Sequence, residues 1–129
     1  MDLEEKALEE FAKLIMQIRD RSIISSESSF KSDFKKFLST LSSEQIKTVQ
    51  KLISVVVDTT LFKAMFYFSE PNDFDLLYQP EDLDEPIDLI SLGNSTWGGL
   101  HYPCLDDDEE DGWMRFSKKP YYDTLELDE

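Results

Sequence analysis

The chain has 129 residues, 40% hydrophobic and 12% aromatic, with 13 Lys+Arg against 28 Asp+Glu for a formal net charge of −15. That length suits one domain, and the aromatic content is too high for a chain disordered throughout. The charge argues against nucleic acid as a direct ligand, because phosphates are bound through Lys and Arg, and it disfavours anionic membranes for the same reason.

A single cysteine, Cys104, rules out an internal disulfide. The first residues lack the basic and apolar regions of a signal peptide, and no apolar run approaches a membrane span. The expectation is a soluble cytoplasmic protein with a reduced thiol. Cys104 and His101 are too few for a soft-ligand metal site, so neither metal nor cofactor is expected.

Residues 2–20 repeat apolar side chains at Leu3, Ala7, Leu8, Phe11, Leu14, Ile15 and Ile18. This is helical spacing, with Glu4, Glu5, Glu9 and Glu10 early and Arg19 and Arg21 near the end, as the helix dipole favours. The serine-rich stretch 25–29 breaks the pattern and reads as a loop or cap. A short second helix follows over about 30–40, built on Phe30, Phe34, Phe37 and Leu38. Ser42 and Gln45 then have capping-box spacing. A third helix continues to about residue 68, apolar nearly all round, which predicts a central position in the domain.

Pro71 stops that helix, and the character of the chain changes. The stretches 74–78, 87–92, 97–102 and Trp113–Phe116 read as strands of a small antiparallel sheet. Gly93-Asn94-Ser95 would make a hairpin turn, and 106–112 a second, highly charged connection. Helices followed by strands predict an α+β fold: a three-helix layer packed on a small C-terminal antiparallel sheet. One domain spans 1–129, with 1–69 helical, 70–124 strand-and-loop, and 125–129 a frayed tail.

The charge is segregated along this division. Residues 1–69 carry 10 basic and 10 acidic residues, whereas 70–129 carry 3 and 18. The acidic half also holds both tryptophans and four of the five tyrosines. Acid mixed with aromatics suggests a surface for a basic partner.

The sharpest local feature is Asp106, Asp107, Asp108, Glu109, Glu110 and Asp111. Read from Asp107, an EF-hand loop would find oxygen ligands at Asp107, Glu109 and Asp111 and a glycine at Gly112, but Lys118 stands at the twelfth position and cannot ligate. The other readings are a solvated acidic loop and a docking surface. Trp97 and Tyr102 are candidate interface anchors, while Trp113 fits a core position better. His101 and Cys104 flank Tyr102-Pro103 without a spacing that aligns a nucleophile with a base. No phosphate-binding glycine loop and no zinc or serine hydrolase motif is present, so no enzymatic activity is expected.

Two stretches carry a family resemblance. Val56-Val57-Asp58-Thr59-Thr60-Leu61-Phe62 resembles the V-V-D-x-T-L-H helix of small bacterial proteins, some of them presumed immunity proteins. Asp88-Leu89-Ile90-Ser91, Gly98-Gly99-Leu100 and Gly112-Trp113-Met114-Arg115-Phe116-Ser117-Lys118 resemble their D-x-I, G-E-L and G-W-x-x-x-F-S-K segments. The likeness covers about residues 40–119. Phe62 replaces the pattern's His, Gly99 its Glu, and Asn94-Ser95 its Asp-Gly turn, so no role of those polar positions carries over. The resemblance implies a non-enzymatic immunity protein that neutralises a toxin effector domain. Asp106 to Asp111 would then steer the encounter, with Trp97 and Tyr102 as anchors. The alternative is a nucleic-acid mimic that inhibits a DNA-binding or host-defence protein.

Overall fold

A computed structural model describes residues 2–122. The expected frayed tail, 125–129, lies outside the described residues. The fold is α+β: helices built on an antiparallel hairpin, with one small antiparallel sheet and short helical turns packed across it.

Helix α1 spans Leu3–Asp33. The Asp2 carboxylate accepts the Glu5 backbone N–H at 2.8 Å and caps it. Its buried face runs through Ala7, Leu8, Phe11, Ala12, Ile15, Met16, Arg19 and Ile23. The serine stretch does not end this helix, contrary to the sequence expectation. Serine costs only about 0.5 kcal/mol relative to alanine in a helix, and no glycine or proline intervenes. Beyond it, Phe30 stacks on Phe34 at 4.8 Å and meets Phe37 edge-on at 6.4 Å. The expected second helix is accordingly divided. Residues 30–33 belong to α1, and the remainder is the single turn α2, Lys35–Leu38.

Helix α3, Ser43–Ser69, starts on the predicted capping box: Gln45 N–H donates to Ser42 Oγ at 3.1 Å, and Ser42 N–H donates to Gln45 Oε1 at 2.8 Å. It stops one residue before Glu70-Pro71. Contrary to the expectation from its all-round apolarity, it is not central. It buries Ser54, Asp58 and Met65 and exposes its opposite face, because among the described residues the rest of the chain packs on one side of it. By length and composition α3 also meets the requirement for a membrane-crossing helix, which the sequence reading had not found in any segment. Lys47, Lys51, Asp58 and Lys63 punctuate it.

The acidic half contains far less strand than its pattern predicts. Strands β1, Leu77–Tyr78, and β2, Ile87–Asp88, pair antiparallel with Leu77 opposite Asp88 and Tyr78 opposite Ile87. The stretch expected to continue as strand turns instead into α4, Leu89–Trp97. Asp88 is the reason. Its carboxylate accepts the backbone N–H of Ile90 at 3.1 Å and of Ser91 at 3.2 Å, as a helix N-cap does. Gly93-Asn94-Ser95 is therefore helix, not hairpin. Gly93 is required there by packing, since the Leu100 side chain occupies the space a Cβ would take.

Gly98 ends α4 in the left-handed region at φ 85°, and Gly99 follows at φ 153°. The expected strand at 97–102 is this reversal followed by α5, His101–Cys104. Ser69 fastens it to α3, with its Oγ accepting the Leu100 N–H at 2.9 Å and its carbonyl accepting Asn94 Nδ2–H at 3.2 Å. The last expected strand, Trp113–Phe116, is a 3-10 turn. Trp113 takes its predicted place in the core, 1% exposed, against Phe11 and Trp97 with ring centroids at 5.7 and 6.1 Å.

Candidate functional site: an acidic cleft over paired tryptophans

One buried polar knot joins the ends of the fold. Arg19, in the middle of the apolar face of α1, is 0% exposed. Its Nε and Nη2 donate to the two Asp58 carboxylate oxygens, the latter at 3.0 Å. Its Nη1 donates to Ser117 Oγ and the Lys119 carbonyl, both at 2.7 Å, and Nη2 also donates to the Pro120 carbonyl at 2.9 Å. All five guanidinium N–H groups are thereby engaged. Asp20 completes the arrangement by accepting Ser117 Oγ–H at 2.5 Å and Lys118 N–H at 2.8 Å. The sequence reading assigned Arg19 to a helix end, but α1 runs on for fourteen residues beyond it. The residues that carry the family resemblance, Asp58 and Ser117, meet here. Their chemistry is structural: they neutralise a buried cation and hold the C-terminal segment against the helical hairpin.

Cys104 lies beside this knot, fully buried, and its thiol is pushed up to about 12, first by burial and then by the nearby Asp58 carboxylate, with Arg19 opposing. A thiol so protonated is a poor nucleophile. His101 packs between Phe62 and Phe66 and lies 4.3 Å from the Tyr102 ring. Its Nδ1 is buried and meets no hydrogen-bond partner among the described residues. The pair forms no nucleophile–base arrangement.

The surface feature that gathers charge is a cleft of about 360 Å³ between α1, α4 and the acidic connection. Trp97 and Trp113 form its aromatic floor. Glu5 and Glu9 project from successive turns of α1, and Glu110 and Asp111 face them from the connection. Arg115 stands at the edge, its guanidinium 4.3 Å from the Phe116 ring and bonded to the Gly112 carbonyl at 2.8 Å. Four carboxylates, of which Glu9 is paired with Lys13 at 3.4 Å, and one fixed guanidinium leave the rim net negative.

The connection owes its shape to its own acids. The Asp106 carboxylate accepts the Asp108 N–H at 3.1 Å. That of Asp108 accepts the N–H groups of Glu110 at 2.8 Å and Asp111 at 3.0 Å. These bonds, Asp111's foremost, hold the Asp108 carboxyl below the ordinary aspartate value. Gly112 closes the loop, since the backbone of Asp106 and Asp108 fills the space of a side chain there.

The sequence-derived site is thus divided. Trp97, Glu110 and Asp111 converge in the cleft. Asp106 and Asp108, though exposed, are taken up by backbone N–H groups of their own loop, Asp107 lines a separate hollow with Lys118 and Lys119, and Glu109 is exposed outside the cleft. Tyr102 is exposed beside His101 rather than beside Trp97. Among the described residues no three His, Cys, Asp or Glu side chains are gathered as a metal site. Glu5 and Glu9 were missed as site residues, because their positions near the start of α1 are equally explained by the helix dipole. Their i, i+4 spacing was the available signal.

Neither a family model, nor a curated protein, nor a solved structure shows significant similarity to it.

Proposed function

We propose that the chain is a non-enzymatic binding protein that receives a basic segment of a partner protein in the acidic cleft, and that it acts as an immunity protein against a toxin effector domain. The observation that carries this reading is the half-buried Trp97 in a cleft that Glu5, Glu9, Glu110 and Asp111 also line. A partner arginine laid on the indole gains cation–π attraction and charge-assisted hydrogen bonds together. The surrounding acids raise the association rate for a basic partner, and inhibition of a toxin benefits from fast capture. Toxins that act on nucleic acid present basic clefts, which this rim complements. The likeness of the Asp58 and Trp113–Ser117 segments to immunity-type proteins supports the same class of partner.

The test is affinity capture from cells that carry the neighbouring genes, with the native chain and a Glu9→Lys/Glu110→Lys variant as paired baits. A basic toxin-like protein captured by the native chain and lost with the variant is the expected result. Capture of no such protein, or equal capture by both baits, overturns the proposal. Release of the captured protein by duplex DNA, with no inhibition of a toxic activity, would instead identify a nucleic-acid mimic.

A further inference from the structure

We infer that the acidic cleft reads arginine as part of a peptide chain, a specification of the site proposed above that rests on that reading. The carboxylates take the guanidinium, and the Trp113 indole N–H takes a main-chain carbonyl of the same segment.

Trp113 supplies the observation beyond the acids. It is 1% exposed and lines the cleft. Its Nε1–H finds no acceptor among the described residues, yet it is not sealed in the core, where His101 Nδ1 is the one fully enclosed side-chain polar atom left without a partner. The N–H is therefore the part of this buried indole that reaches the surface, and the surface that Trp113 lines is the cleft. An indole nitrogen donates and cannot accept. Any ligand that covers the cleft shuts water away from this donor, and binding suffers unless the ligand brings an acceptor to it.

The remaining groups define what else the ligand carries. Glu5, Glu110 and Asp111 stand around the tryptophans, Glu9 is shared with Lys13, and Arg115 is bonded to the Gly112 carbonyl. A guanidinium suits them, since it lies flat on Trp97 and meets carboxylates two bonds at a time. A polyamine brings cations and no acceptor, so it would cover the Trp113 N–H and leave it unmet. Free arginine brings its acceptor as an α-carboxylate, which the surrounding acids repel. A peptide carries the guanidinium and a neutral carbonyl a few bonds apart. At about 360 Å³ the cleft is at the small end of ligand pockets, with room for one long side chain and its adjoining peptide group.

Proton–nitrogen NMR of the full chain tests this, because Trp97 and Trp113 give separate indole signals, assigned with Trp97→Phe. The probes are acetyl-Gly-Arg-Gly-amide, agmatine (the guanidinium without the carbonyl) and free arginine. The blocked peptide should move the Trp113 Nε1–H signal downfield, slow its exchange with water, and bind about tenfold more tightly than the other two, the worth of one carbonyl on a donor otherwise stranded. Glu9→Lys/Glu110→Lys should abolish these effects. Agmatine binding as tightly as the peptide, or a Trp113 signal that stays still while that of Trp97 moves, overturns the inference and leaves the cleft a simple cation site. A Trp113 N–H already protected from exchange in the free chain overturns it as well. So does binding of none of the probes, while the affinity capture described above decides the proposed function separately.

Discussion

Replacing Asp58 with alanine should be among the most damaging single changes in this chain. The Asp58 side chain is 3% exposed and that of Arg19 is 0%. The substitution removes two charge-assisted hydrogen bonds and leaves a guanidinium in the core with three neutral acceptors and the less closely placed Asp20 carboxylate, 3.7 Å from Nη1. Breaking a buried pair in this way costs about 3–5 kcal/mol, a large share of the roughly 5–15 kcal/mol that holds a domain together. With a urea slope of about 2 kcal/mol/M, the unfolding midpoint should fall by about 2 M. Tryptophan fluorescence reads the transition, because Trp113 passes from core to water. Arg19→Met/Asp58→Leu should recover most of the loss: it removes both charges, and the carbonyls of half-exposed Lys119 and exposed Pro120 can turn to solvent. A loss below about 1 kcal/mol for Asp58→Ala, or a double variant no more stable than the single one, would refute the view of Arg19 as a buried cation held by Asp58.

Two further outcomes follow from the ionisable groups. Cys104 should react with a thiol reagent only on unfolding at pH 8. Its folded pKa of about 12 lies above the ordinary thiol value of 9.0, so its contribution to stability is complete below pH 9 and is lost as pH rises towards 12. Cys104→Ala should flatten the alkaline slope of stability, and rapid labelling of the folded chain would contradict the burial. Asp108 has the opposite sign. Its lowered pKa means that its capping contribution is present above the ordinary carboxylate range and lost as pH falls through the shifted value. Carbon-detected NMR titration should place this carboxyl below the ordinary aspartate value, and Asp108→Ala should speed amide exchange at Glu110 and Asp111. An ordinary Asp108 titration, or unchanged exchange, would contradict the capped-loop geometry.

The helices were legible because their causes are local. Asp2, the Ser42–Gln45 box and Pro71 act within a turn of the backbone they start or stop. The false break at the serine stretch came from weighing a weak propensity as a terminator. The false strands arose from short apolar runs, whose periodicity does not distinguish sheet from helix. At 88–97 the deciding residue was Asp88, whose capping carboxylate converts the run into α4. The candidate site was half legible: Glu110, Asp111 and Trp97 lie in the acidic half, but their companions Glu5 and Glu9 are about a hundred residues away in sequence.

The amino-acid order alone determined the α+β class, the long helices and the separation of a neutral half from an acidic, aromatic one. Those features depend on local capping, on hydrophobic period and on composition. Only the tertiary structure decided that Arg19 is a buried cation, that the six adjacent acids serve different ends, and that an apolar helix keeps one face in water. Each of these depends on which distant segment comes to lie alongside, and therefore on how the whole chain shares its limited apolar surface.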